Sequence, residues 1–80
     1  MIVEDDELIR KELTRFLNHE GYEVVCIERF GEESKTAESI LQESPDLVLL
    51  DVAIPGCDGL FICDELRSRS DVPIIFVTGN

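Results

Sequence analysis

Pro45-Asp46-Leu47-Val48-Leu49-Leu50-Asp51-Val52-Ala53-Ile54-Pro55-Gly56-Cys57-Asp58-Gly59 is the stretch on which the reading of the fold turns. Four consecutive apolar residues, Leu47 to Leu50, run directly into a carboxylate, Asp51. A short apolar run bounded by Pro and Gly predicts a strand buried on both faces, the kind found in parallel sheets. Asp51 then stands at the carboxyl end of that strand, the edge where open α/β sheets bind ligands. The Ile54-Pro55-Gly56 turn and Asp58-Gly59 steer the chain away and are expected to leave the carboxylate open to solvent. The competing reading is an Asp that only satisfies loop amides.

Outward from this strand, the chain alternates. Met1-Ile2-Val3 is an apolar stub entering Glu4-Asp5-Asp6, short for a buried strand, as though residues preceded it. Leu8, Ile9, Leu13, Phe16 and Leu17 recur at helical spacing from Asp6, and Gly21 stops the pattern where a glycine ends a helix. Lys11, Arg15 and His19 fall on the outer side of this helix. Residues 22–27 form a β-rich stretch. Ala37, Ile40 and Leu41 mark a short helix before Ser44-Pro45. After the central strand, Gly59 opens a helix with Leu60, Ile62, Cys63 and Leu66 expected inward. Residues 74–78 form a fourth strand, preceded by Pro73, where the missing N–H matters least. The order β-α-β-α-β-α-β implies right-handed crossovers and a doubly wound, mostly parallel sheet.

Composition narrows the function classes. Eighty residues allow one small domain, burying roughly 60% of its unfolded surface. Eighteen acidic against seven basic residues give a net charge of −11, which repels a polyanion such as DNA and welcomes a cation where carboxylates converge. Cys26, Cys57 and Cys63 are odd in number and lack metal-type spacing. With no signal peptide and no bilayer-length apolar run, the expectation is a reduced, cytoplasmic, soluble protein with no membrane partner.

Parallel strands bring the ends Glu4/Asp5, Asp51 and Thr78 to one edge, so that motifs distant in sequence become one site. Carboxylates packed together repel one another and shed water, which a hard divalent cation offsets, and oxygen-only ligands favour Mg2+, Mn2+ or Ca2+ over zinc. A metal-held carboxylate beside a hydroxyl and free loop amides is suited to phosphoryl chemistry, with an Asp as nucleophile. Asp6 is expected to cap the first helix instead.

Val3-Glu4-Asp5-Asp6, Leu49-Leu50-Asp51-Val52 with Pro55-Gly56-x-Asp58-Gly59, and Pro73-Ile74-Ile75-Phe76-Val77-Thr78 together resemble the receiver domain of two-component response regulators. The resemblance covers the whole chain in order and implies a flavodoxin-like sheet of order 2-1-3-4, with a fifth strand absent from this chain. The Asp5–Asp51 separation is a few residues longer than is usual for the family, an excess placed around 27–35. The resemblance implies that Asp51 is the phosphoacceptor, attacking a phosphohistidine on a sensor histidine kinase. It implies that Asp5 and Asp51 bind Mg2+ directly, with the Ala53 carbonyl as a third ligand and Glu4 acting through water. Thr78 resembles the switch hydroxyl, and the amides of Ala53 and Gly79 would line the phosphoryl oxygens. Gly79 stands where a small Ala is often found.

The family's fourth helix, fifth strand with its preceding lysine, and fifth helix have no counterpart here, so the expectation is a receiver domain cut short at both ends. Ending at Asn80 would leave strand 74–78 as an edge and uncover Phe61, Ile74 and Phe76, so residues 1–80 alone are not expected to be a stable monomer. A homodimer or segment swap would supply the missing pieces. The function implied is a self-phosphorylating signalling module rather than a turnover enzyme, with no nucleic acid bound by this domain. DNA contact through an absent C-terminal winged-helix domain is a leaning, from the Glu-Asp-Asp opening and the Gly-Tyr-Glu-Val-Val stretch. One alternative is a non-phosphorylated receiver-like interaction module. Another, a phosphatase of the haloacid-dehalogenase type, wants a second Asp where Ala53 stands.

Overall fold

The computed structural model describes residues 1–27 and 30–77. Four strands, β1 (Ile2–Val3), β2 (Cys26–Ile27), β3 (Val48–Asp51) and β4 (Ile74–Val77), alternate with three helices, α1 (Glu7–His19), α2 (Glu33–Gln42) and α3 (Gly59–Arg67). All pairings are parallel, as the alternation predicts, and the sheet order is β2-β1-β3-β4, as the resemblance implies. Strand β2 is shorter than expected: residues 22–25 precede it without ladder pairing, although the Val25 carbonyl accepts the Ile2 N–H at 2.8 Å. Strand β4 is the sheet edge, and Ile75 and Phe76 lie about half exposed.

The helices form where the sequence provides ends for them. Asp6 has extended backbone and its carboxylate accepts the N–H groups of Leu8 (2.9 Å) and Ile9 (3.2 Å), so it caps α1 as expected. Helix α1 closes on Gly21 at φ 91°, with Gly21 N–H bonded to the Asn18 carbonyl and Tyr22 N–H to that of Leu17, a Schellman ending. Asp58 caps α3 through Leu60 N–H (2.9 Å) and Phe61 N–H (3.4 Å).

The core lies between β1/β3 and the pair α2/α3, where Val3, Ala37, Ile40, Val48, Leu50, Ile54, Cys57, Ile62, Leu66 and Val72 are buried together. Strand alternation sends Ile2 to the opposite face, which α1 covers, with Thr14 Oγ1 3.6 Å from Cys26 Sγ. That cover is thinner. No α1 residue is fully buried, and Leu8 and Phe16 are 68% and 62% exposed. The helical period was right, but the apolar stripe is wider than the surface available to it. Leu60 corrects another expectation: it is 58% exposed, because α3 turns Ile62, Leu66 and the back of Gly59 toward the sheet.

Gly59 shows how tightly the β3–α3 loop is drawn in. A Cβ at this position would meet the Asp51 carbonyl oxygen and the Val52 Cα at 2.6 Å each, both backbone atoms. Gly59→Ala should therefore destabilise the fold by about 1–3 kcal/mol despite the better helix propensity of Ala. A urea midpoint at or above that of the parent would show that the loop yields.

Candidate functional site

The register of the sheet builds the site. Val3 pairs with Leu50 across the β1–β3 ladder, so the next residues, Glu4 and Asp51, emerge side by side at the carboxyl edge. Asp5 follows on the same turn. Carboxylate oxygens of Glu4, Asp5 and Asp51 all lie within 4.8 Å of one another, a spacing that could hold a metal ion. Two of the three are buried: Glu4 and Asp51 are each 3% exposed, and Asp5 is exposed. The expectation that Asp51 stands open to solvent is thus corrected. The loop folds back through Gly59, and Asp5 is the exposed side of the cluster.

The carboxylates are only partly satisfied by the protein. Asp51 Oδ1 accepts the Ala53 N–H at 2.9 Å, and Glu4 Oε1 accepts the Asp6 N–H at 3.1 Å. Glu4 Oε2 is buried and has no hydrogen-bond partner among the described residues. An orphaned buried carboxylate oxygen is costly. Burial pushes the Glu4 carboxyl up to about 7; the Asp6 N–H opposes this, and the neighbouring Asp51 and Asp5 add to it. A divalent cation here would give that oxygen a partner and the clustered charge a counter-ion. The donor set is oxygen only, as a hard cation such as Mg2+ requires.

Of the residues singled out from sequence, Glu4, Asp5 and Asp51 come together, and the Ala53 amide joins them through Asp51. Thr78 and Gly79 lie outside the described residues. Two contributors were not read from sequence. Arg10 Nη1 donates to the carbonyls of Glu4 and Asp5, each at 3.0 Å. Glu33, in the first turn of α2, accepts the Asp58 N–H at 3.0 Å and ties the loop after Asp51 to a second helix. Both act on backbone groups, for which residue pattern carries no signal.

The raised Glu4 pKa has a pH consequence. The folded state holds this proton more tightly than the unfolded chain, whose ordinary value is 4.5. The associated stability is present below 4.5 and is lost as pH rises through about 7. Without divalent cations, the parent should lose urea resistance over that window relative to Glu4→Gln, and Mg2+ should restore it chiefly above pH 7. Parallel pH profiles for the two proteins would contradict this account.

Comparison with known proteins agrees with this architecture. The family model for the response regulator receiver domain matches residues 1–80. The transcriptional regulatory protein AruR of Pseudomonas aeruginosa is 42% identical over 99% of this chain, and YxdJ of Bacillus subtilis is 41% identical over 98%. The chain spans 33% of the length of each. Among solved structures, the BeF3-activated N-terminal receiver domain of Klebsiella pneumoniae RstA superposes with a TM-score of 0.84 at 35% identity, covering 99% of this chain and 65% of that one. The BeF3-activated receiver domain of nitrogen regulatory protein C gives 0.74 at 29% identity. The sheet order, the acidic strand ends and these likenesses agree, and the chain belongs to the response regulator receiver domain family.

Proposed function

We propose that this chain is the phosphoacceptor module of a two-component response regulator, with Asp51 receiving the phosphoryl group from a phosphohistidine on a sensor histidine kinase. The observation that carries the reading is the convergence of Glu4, Asp5 and Asp51 around the unpartnered Glu4 Oε2 at the carboxyl edge of the sheet. Asp5, Asp51 and the Ala53 carbonyl would hold Mg2+, with Glu4 completing the set. When bound, that ion supplies positive charge for the phosphoryl oxygens and offsets repulsion between an anionic donor and this acidic edge.

The rest of the chemistry falls to the chain itself. Asp51 presents a carboxylate oxygen to phosphorus; the new O–P bond forms as the P–N bond to the donor imidazole breaks, and the imidazole leaves with the bond pair. Ala53 N–H, which donates to Asp51 Oδ1 at 2.9 Å, would line the arriving oxygens. Thr78 would turn its hydroxyl toward the phosphoryl group, and the Gly79 amide would bind a second oxygen. The described residues contain no helix long and apolar enough to cross a membrane, which suits a cytoplasmic receiver. The names of the relatives suggest transcriptional output through a domain outside this chain.

Treatment of the intact protein with acetyl phosphate and Mg2+ should add one phosphoryl mass, and Asp51→Asn should abolish it. An adduct of undiminished level in Asp51→Asn would place the acceptor elsewhere.

A further inference from the structure

The segment carrying Glu4 and Asp5 lies where the sheet no longer supports it. Strand β1 is only Ile2–Val3, so its ladder to β2 and β3 ends one residue before the first acid. Helix α1 begins at Glu7, so Glu4 to Asp6 lie between elements. Arg10, one turn into the helix, reaches back across this gap. Its Nη1 donates to the carbonyls of Glu4 and Asp5 at 3.0 Å each, and its own backbone N–H donates to the Asp6 carbonyl at 3.0 Å. Three consecutive carbonyls of the acidic segment are therefore held by one residue.

We infer that Arg10 is a positioning residue of the metal site, fixing the backbone of Glu4 and Asp5 so that their carboxylates meet Asp51 in a geometry Mg2+ accepts. The inference rests on the metal-binding reading given above. Two effects of the guanidinium oppose each other. Its permanent positive charge behind the cluster disfavours a second cation, and its hydrogen bonds preorganise the ligands. Preorganisation prevails for two reasons. Mg2+ demands near-ideal octahedral geometry, and the ligand segment has no ladder pairing to hold it. The guanidinium also donates to the carbonyl side of that backbone, and the cation binds on the carboxylate side.

Mg2+ affinity measured by calorimetry on the folded intact protein tests this role. Arg10→Met keeps the apolar stem, removes the donors and should weaken binding by about tenfold, the lower end of what loss of a residue supporting metal ligands costs. Lys11→Met removes the same charge from the neighbouring position, where Lys11 pairs only with Glu7 among the contacts described, and should leave the affinity unchanged. Should Arg10→Met fail to fold, Arg10→Lys keeps the charge but lacks the reach of the guanidinium, and should also bind Mg2+ more weakly than the parent. Parent-like or tighter binding in a folded Arg10 variant overturns the inference, tighter binding meaning that charge repulsion dominates. Asp5→Ala in the same series separates the two levels: if it binds Mg2+ as the parent does, the metal reading itself fails and takes the role of Arg10 with it.

Discussion

Parallel pairing of β1 with β3 is the constraint on which the rest depends. The Val3–Leu50 register sets two acids from distant parts of the chain next to each other, and no other feature of the fold would do so. A slip of one residue would turn Val3 out of the α2/α3 core and move Glu4 away from Asp51. The apolar run from Val48 to Leu50 thus has a double effect: it drives burial, and in driving burial it fixes where carboxylates accumulate. The electrostatic tension at the edge is a by-product of the hydrophobic order behind it.

That tension is contained by backbone donors and one guanidinium. Ala53 N–H meets Asp51, Asp6 N–H meets Glu4, and Arg10 holds the carbonyls beneath. None of these neutralises the site, so it keeps an appetite for a divalent ion while retaining its shape. The ion pairs away from the cluster, such as Lys11–Glu7 on α1 and Arg69–Glu65 at the C-terminal end of α3, contribute little by comparison.

Much of this was legible in sequence because it follows from periodicity and punctuation. The alternation of elements, the Asp6 cap, the Gly21 ending and the convergence of Glu4, Asp5 and Asp51 are consequences of residue type at a given spacing. Leu60 was misread because an inward-facing period of three to four admits two registers, and only the close approach of Gly59 to Asp51 selects between them. Exposure of Leu8 and Phe16 was missed because an apolar stripe says which face seeks burial, not how much surface waits to cover it. Burial of Asp51 depends on how far the following loop folds back, a tertiary matter. Arg10 and Glu33 bind main-chain atoms, which every sequence supplies alike.

The stretch between Asp51 and α3 is fastened along its length. Ile54 and Cys57 are buried, Cys57 N–H bonds to the Ile54 carbonyl at 3.1 Å, Asp58 N–H is held by Glu33, and Gly59 is pressed against backbone. A segment so fixed has no slack for an added or deleted residue, since any change in its length would displace Glu33, Gly59 or Asp51. Loop closure by itself tolerates insertion cheaply, so this intolerance comes from the fastenings and not from chain entropy.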